Sequence, residues 1–532
     1  MNQKNTTNSR IIGFHLDMKV AQYRTEYLKE LWPRLANLGY THVFFEIEDK
    51  VRLETIRGAE WCEAFSKAEF SDILKTARNH GLVPVPLIQT LGHLEFLLSH
   101  PPYQAWREMR NNAYMICPSN AEAVRHLLRY IDEVGELFAN PPFIHLGADE
   151  TYYLGGCPSC RKKVKAASKS AVFMEHLNKL ANHSLKRGWR PLAWADHALK
   201  YPEKIERLNR EIILVDWDYW STEKNPPNLL YWKEHKQLPA NRLPGEFLKN
   251  EGRFALDERG KIRSWFYTDY LRAKGFDVIV APAMRCGGDH VFAPCLEHMA
   301  NVTGAAMRLT REPAPLGMLV TSWAVRLNHL ETQWPGFAIP QAVSDCGEVD
   351  SWRDLREYIS RKILGKNCPE FFDAWKKIGT AFAFAQSSSG MESATWYYGQ
   401  TDSVPWMLEQ WRKDGRLKAQ VGNLQKLKTG YRRGQEILNA MNRKIPAGNR
   451  CLRYWKIATR AILHKADTFE LFAKARKGKT DKNKAADLLL AEEALRDEYR
   501  SLLNETYAPA SVEREIAMIF GSSLRHLMRL AM

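Results

Sequence analysis

No stretch of this 532-residue chain is long and apolar enough to cross a membrane, and its opening, MNQKNTTNSRIIGF, has no apolar core of the secretory-leader kind. The expectation is therefore a cytoplasmic chain, or one that begins after a removed signal, with no membrane partner. Cysteines are few and odd in number: nine residues cannot all pair within one chain, which favours a reducing compartment. The one close pair, Cys157-Pro-Ser-Cys160, lacks the further ligands of a zinc site and the helix-start context of a redox pair, so neither metal nor cofactor is expected. Also missing are Arg/Gly-rich repeats, zinc-finger spacing and an RNA-binding aromatic signature. The net charge of +16 is consequently not read as a nucleic-acid surface. Most of it lies beyond residue 400, where 26 Lys and Arg face 15 Asp and Glu, as on a solvated basic helical face.

What is present is apolar bulk. A hydrophobic content of 45% with 11% aromatics supplies a large core, over a length that suits about two to four domains. Tryptophan is abundant at 17 residues, an excess that fits apolar interfaces or sites that stack flat ligands such as sugar rings. Short runs recur: IIGFHLD (11–17), HVFFEIE (42–48), LVPVPLI (82–88), FIHLGAD (143–149), RPLAWAD (190–196), IILVDWD (212–218), DVIVAPA (277–283) and GMLVTSW (317–323). They are near-continuous rather than alternating, as strands covered on both faces should be. Between them lie helix-like stretches such as Gln22 to Leu38, Glu69 to His80 and Ala121 to Phe138, ended by Gly39, Gly81 and Asn140 before Pro141. The repetition predicts an α/β fold, a (β/α)8 TIM barrel over 1–340. Beyond it, helical periodicity in Leu355 to Ile363, Glu370 to Ala385, Leu452 to Ala473 and Ala485 to Leu503 predicts an all-α extension over 341–532. That extension packs on the barrel or serves self-association, with a homodimer as one outcome. SSSG (387–390) reads as a loop, and WYYG (396–399) as an interdomain anchor or a rim cluster.

Several of the strands end in acids or Trp: Asp17, Glu46 and Glu48, Asp149 and Glu150, Trp194 and Asp196, Trp217, Trp323. In a parallel barrel these ends meet at one rim. The sharpest case is FIHLGADETYY (143–153), which sets two carboxylates side by side. Adjacent like charges repel, and each loses hydration on burial. A solvated loop would explain the pair in isolation; its place at a strand end points to chemistry.

HLGADE (145–150) resembles the His-x-Gly-x-Asp-Glu signature of glycoside hydrolase family 20, the β-N-acetylhexosaminidases. GFHLDMK (13–19), FFEIED (44–49), PLIQTLGHLEFLL (86–98), LAWADHAL (192–199) and VDWDYW (215–220) extend the resemblance, in order, over roughly 11–340. It implies exo-acting, retaining hydrolysis of terminal β-linked GlcNAc or GalNAc, with the sugar's own 2-acetamido oxygen as nucleophile. It implies that Glu150 is general acid and then base, its pKa raised by an aromatic wall and the neighbouring anion. Asp149 then stays anionic and orients the acetamido N–H, with His93 and His145 supporting the carboxylates. The resemblance makes Trp194, Trp217 and Trp323 walls of a sugar pocket and Tyr219 a donor to the acetamido carbonyl. Glu331 becomes a ligand of outer hydroxyls or simply an exposed loop acid, and Asp17 and Asp196 bind hydroxyls or orient neighbours. The implied partner is an N-acetylhexosamine-terminated glycan or glycoconjugate. There is one departure: LDMK offers Asp17 and Lys19 where many family members carry an arginine, which leaves the glucosamine or galactosamine preference open. Two other readings stand beside this one. The same barrel could act on a modified hexosamine or another glycoside, or the protein could be a catalytically silent sugar binder.

Overall fold

A computed structural model describes residues 10–286, 289, 292–311, 314–324, 329–346, 352–380, 408–409 and 411–532. Its contacts group into two compact units. One comprises the chain through Lys19, Leu28–Ala283 and Ala300–Thr321; the other comprises Val20–Tyr27, Met284–Met299 and Ser322–Met532. Residues 322–340, counted with the barrel on sequence, thus group with the helical unit. The SSSG and WYYG segments lie outside the described residues.

Eight parallel strands build the first unit: β1 (Ile11–Asp17), β2 (His42–Glu46), β3 (Val83–Leu87), β4 (Phe143–His145), β5 (Arg190–Trp194), β6 (Ile213–Trp217), β7 (Val278–Ala281) and β8 (Gly317–Ser322). They pair in chain order, and β8 returns to β1 through Ile11 opposite Gly317 and Phe14 opposite Val320, closing the barrel. Every residue of β2 is buried, Glu46 included, as expected of a strand packed on both faces. Helices return the chain between strands. α1 (Thr25–Ala36), α2 (Lys67–Asn79) and α3 (Ala121–Leu137) match the predicted stretches to within a few residues. α2 begins at a capping box, Ser66 accepting from the Glu69 N–H at 3.2 Å while Glu69 accepts from the Ser66 N–H at 2.7 Å.

β3 carries two prolines, which a central strand ordinarily excludes. Its odd residues face β2, as the 2.8 Å bond from the Val83 N–H to the Thr41 carbonyl shows, and its even positions face β4, as the 2.9 Å bond from Ile88 to His145 shows. Pro84 and Pro86 are even, so their missing donors fall on the β4 side. The β3–β4 ladder is correspondingly reduced to one register pair, Leu87 with His145, whereas β2 and β3 match over five.

The second unit is helical. Arg450–Ala475 runs through its centre, and Trp455, fully buried, donates to the Thr332 carbonyl at 3.1 Å and packs against Trp375 at 5.2 Å. The predicted helix from Glu370 ends at Ile378. Two helices that periodicity did not single out, Leu417–Ala440 and Pro509–Ala531, complete the described set with Lys482–Leu503 and others.

Candidate active site

The acid pair owes its posture to the backbone beyond β4. Gly147, Ala148 and Glu150 all adopt left-handed conformations, φ +61°, +68° and +49°. For the two non-glycine residues this costs on the order of 1–3 kcal/mol each. Gly147 is required: a Cβ there would lie 2.8 Å from the Ile88 carbonyl and strike the Gln89 amide. Gly92 is likewise required, because its Cβ would fall 2.6 Å from the Asp149 carbonyl. The irregular path removes the strand alternation that would send neighbouring side chains to opposite faces. Both carboxylates therefore converge on one imidazole. His93 Nε2 lies 3.4 Å from Asp149 Oδ2 and 3.2 Å from Glu150 Oε2. Asp149 is buried, while the Glu150 side chain stays 29% exposed, so the inner and outer members of the pair are distinguished by access to solvent.

Partners surround them. Asp196, at the end of β5, accepts the Glu150 N–H at 2.9 Å. The Tyr114 hydroxyl lies 3.1 Å from His93 Nε2 and donates to the Glu150 carbonyl at 3.1 Å. The Tyr152 hydroxyl donates to Glu150 Oε1. Lys19 sits between the ends of β1 and β2, with Nζ 3.4 Å from Glu46, 3.8 Å from Glu48 and 3.9 Å from Asp17.

The electrostatics follow from these contacts. Burial alone would strip the charge from His93, but the Asp149 carboxylate and hydrogen bonds to both acids outweigh it and hold the ring well above the ordinary histidine range. Lys19 is kept charged against burial by Asp17, Glu46 and Glu48. Asp196 is pushed up to about 7, by burial first and the Asp149 charge second; contact with Trp217 works the other way. Glu150 departs from expectation. Burial raises its pKa, but hydrogen bonding and charge from His93, with the Tyr152 hydroxyl, bring it down to about 2. The predicted aromatic wall and neighbouring anion are outweighed by a cation that the motif alone does not place.

Other predicted residues take varied positions. His145 is fully buried; its Nδ1 accepts the Gly147 N–H at 3.0 Å, and burial lowers it to about 3, so it is a neutral brace for the turn. Trp194 is 1% exposed, its ring 4.5 Å from that of His145, so it packs beneath the rim and presents no open face. Trp217 and Tyr219 are half-buried with ring centres 5.2 Å apart, beside Trp220 and Trp232. Asp17 is buried and accepts the Lys19 N–H at 2.8 Å. Trp323 and Glu331 belong to the helical unit. Trp323 is half-buried, and its N–H donates to the Arg285 carbonyl. Glu331 corrects the exposed-loop alternative: it lies on the helix Leu330–Phe337, fully buried, and accepts from the Tyr27 hydroxyl at 2.9 Å. Tyr152 stands inside the motif and was open to notice. Tyr114 comes from the hairpin Arg107–Met109 with Asn112–Ile116, where nothing local marks it.

Residues 12–235 match the family described as glycosyl hydrolase family 20, catalytic domain. Hexosaminidase D of Bos taurus is 32% identical over 213 residues, which is 38% of this chain and 62% of that protein. Lacto-N-biosidase of Bifidobacterium bifidum is 24% identical over 237 residues, 40% of this chain and 21% of that one. The chain thus spans less than two thirds of these relatives. Among solved structures, Flavobacterium johnsoniae chitobiase superposes over 97% of this chain and 77% of its own, at a TM-score of 0.50 and 13% identity, a likeness of fold. The segment from 12 to 235, which supplies the first six strands of the closed barrel, is thus similar to the catalytic domain of glycosyl hydrolase family 20.

Proposed function

We propose that this protein removes terminal β-linked N-acetylhexosamine, GlcNAc or GalNAc, from a glycan with retention of configuration, using the substrate's 2-acetamido oxygen as nucleophile. The observation that carries the reading is the adjacent carboxylate pair sharing one imidazole, with a buried inner member and a half-exposed outer one. Asp149, buried with Oδ2 3.4 Å from His93 Nε2, is suited to accept the acetamido N–H, aligning the carbonyl with C1. Glu150 is suited to reach the departing oxygen. His93 Nε2, 3.2 Å from Glu150 Oε2, is a neighbouring donor from which Glu150 can take the proton it delivers to the leaving oxygen. Trp217 and Tyr219 supply a flat face and a hydroxyl beside it.

Chromogenic β-GlcNAc, β-GalNAc and β-glucoside test the reading. The two acetamido sugars should be cleaved and the plain glucoside left intact; comparable cleavage of the glucoside would exclude participation by the acetamido group. Glu150→Gln and Asp149→Asn should each lower kcat by about 10²–10⁴ while binding persists. Rates within a few fold of the parent for either would remove that residue from its role.

A further inference from the structure

Beside the hairpin that carries Tyr114, the chain brings together donors that are far apart in sequence. Cys117 Sγ lies 3.4 Å from Cys157 Sγ and 3.6 Å from Cys160 Sγ. Glu108 joins them, and one ligand atom from each of the four residues falls within 4.8 Å of the others. Zinc in a tetrahedral thiolate site has bonds of about 2.3 Å, which sets sulfurs roughly 3.8 Å apart, whereas a disulfide draws them to about 2.0 Å. The observed spacing is that of sulfurs around a common centre.

Glu108 strengthens the case. Its side chain is buried, and Oε1 accepts the N–H groups of Gly155 and Cys157 at 3.0 and 3.1 Å. Oε2 is also buried and has no hydrogen-bond partner beyond the thiols of the cluster. A buried acid against three thiols is an expensive arrangement without a cation. The knuckle is formed on the other side as well: Cys157 caps the helix Pro158–Ala166, and its sulfur accepts the Cys160 N–H at 3.2 Å.

We propose that Cys117, Cys157 and Cys160 bind one Zn²⁺ as thiolates, with Glu108 Oε2 as the fourth donor. The ion ties the Asn112–Ile116 strand, which carries Tyr114, to the segment 151–157, which carries Tyr152. It is structural, with all four positions held by protein. On sequence the CxxC looked incomplete because its partners are distant: Cys117 is 40 residues from Cys157, and Glu108 is 49.

Metal analysis of the full chain, purified with reductant and without chelator, tests this. About one zinc per chain is expected for a closed structural site. Cys157→Ser should lower the content about tenfold or more, since serine still caps the helix but is a poor zinc ligand. Cys346→Ser, at an exposed cysteine of the helical unit, should leave the content unchanged. Should the serine variant fail to fold, the parent loaded with Co²⁺ after chelation reports instead, through a thiolate-to-cobalt charge-transfer band. Chelation should also lower Tm. A zinc-free parent with no such band, or a mass showing a disulfide within the cluster, overturns the proposal.

Discussion

Left-handed backbone at Ala148 and Glu150 is a local expense that only the surrounding contacts sustain, and those contacts are the ones that set the charge of the site. His93 is itself left-handed, at φ +56°. Its ring binds both acids, so the conformational cost and the electrostatic gain fall on the same residues. Asp196 offers the clearest titration. Its folded pKa of about 7 lies above the ordinary 3.8, so its contribution to stability is full below the lower value and is lost as pH rises through the upper one. Asp196→Asn keeps an oxygen for the Glu150 N–H but cannot ionise. The decline in Tm between those two pH values should flatten in the variant, by the equivalent of a few kcal/mol across the window. Parallel pH curves for the two proteins would show that Asp196 does not titrate there. The motifs made Asp149, Glu150, His93 and Asp196 legible as a set, and the fold brings these four together. The low Glu150 pKa was not legible, because it depends on a distance to His93 that arises only when β3 and β4 lie side by side.

At the scale of elements, the runs of Val, Ile and aromatics marked all eight strands, since burial on both faces leaves a continuous apolar signature. The short antiparallel pairs, Arg107–Met109 with Asn112–Ile116 and Asn228–Tyr231 with Lys236–Pro239, left no such trace. Three to five residues of mixed polarity are indistinguishable from loop, yet one of these hairpins delivers Tyr114 to the acid pair. Helix starts were easier, because caps are local. The Ser66 and Glu69 box makes a direct forecast: Ser66→Ala should lower stability by about 1 kcal/mol and leave turnover unchanged, as read by thermal unfolding and a rate assay. An unchanged Tm would mean that tertiary packing alone fixes the start of α2.

For the whole molecule, the change from strand to helix near residue 340 was visible in periodicity, but the compact units divide the chain elsewhere, because Val20–Tyr27 and Met284–Met299 join the helices by contact rather than by sequence neighbourhood. The centre of the helical unit is aromatic: Trp455 meets Trp375 and Phe371 at 5.2 and 5.5 Å. Trp455→Ala should cost about 3–5 kcal/mol and strand the Thr332 carbonyl, and calorimetry should show the loss as a lowered transition. A smaller loss, under a kilocalorie, would mean that neighbours collapse into the space. The two prolines of β3 carry the last implication. By muting the ladder towards β4, they leave the stave that bears the acid pair held by backbone mainly on its β5 side, where Phe143, Ile144 and His145 match Arg190, Pro191 and Leu192, and joined to β3 by the Ile88 bond to His145 and by the Thr90 hydroxyl on the Leu146 carbonyl. Along that one seam a replaceable side chain therefore carries a larger share of the hold than it does between β1 and β2, where five register pairs match.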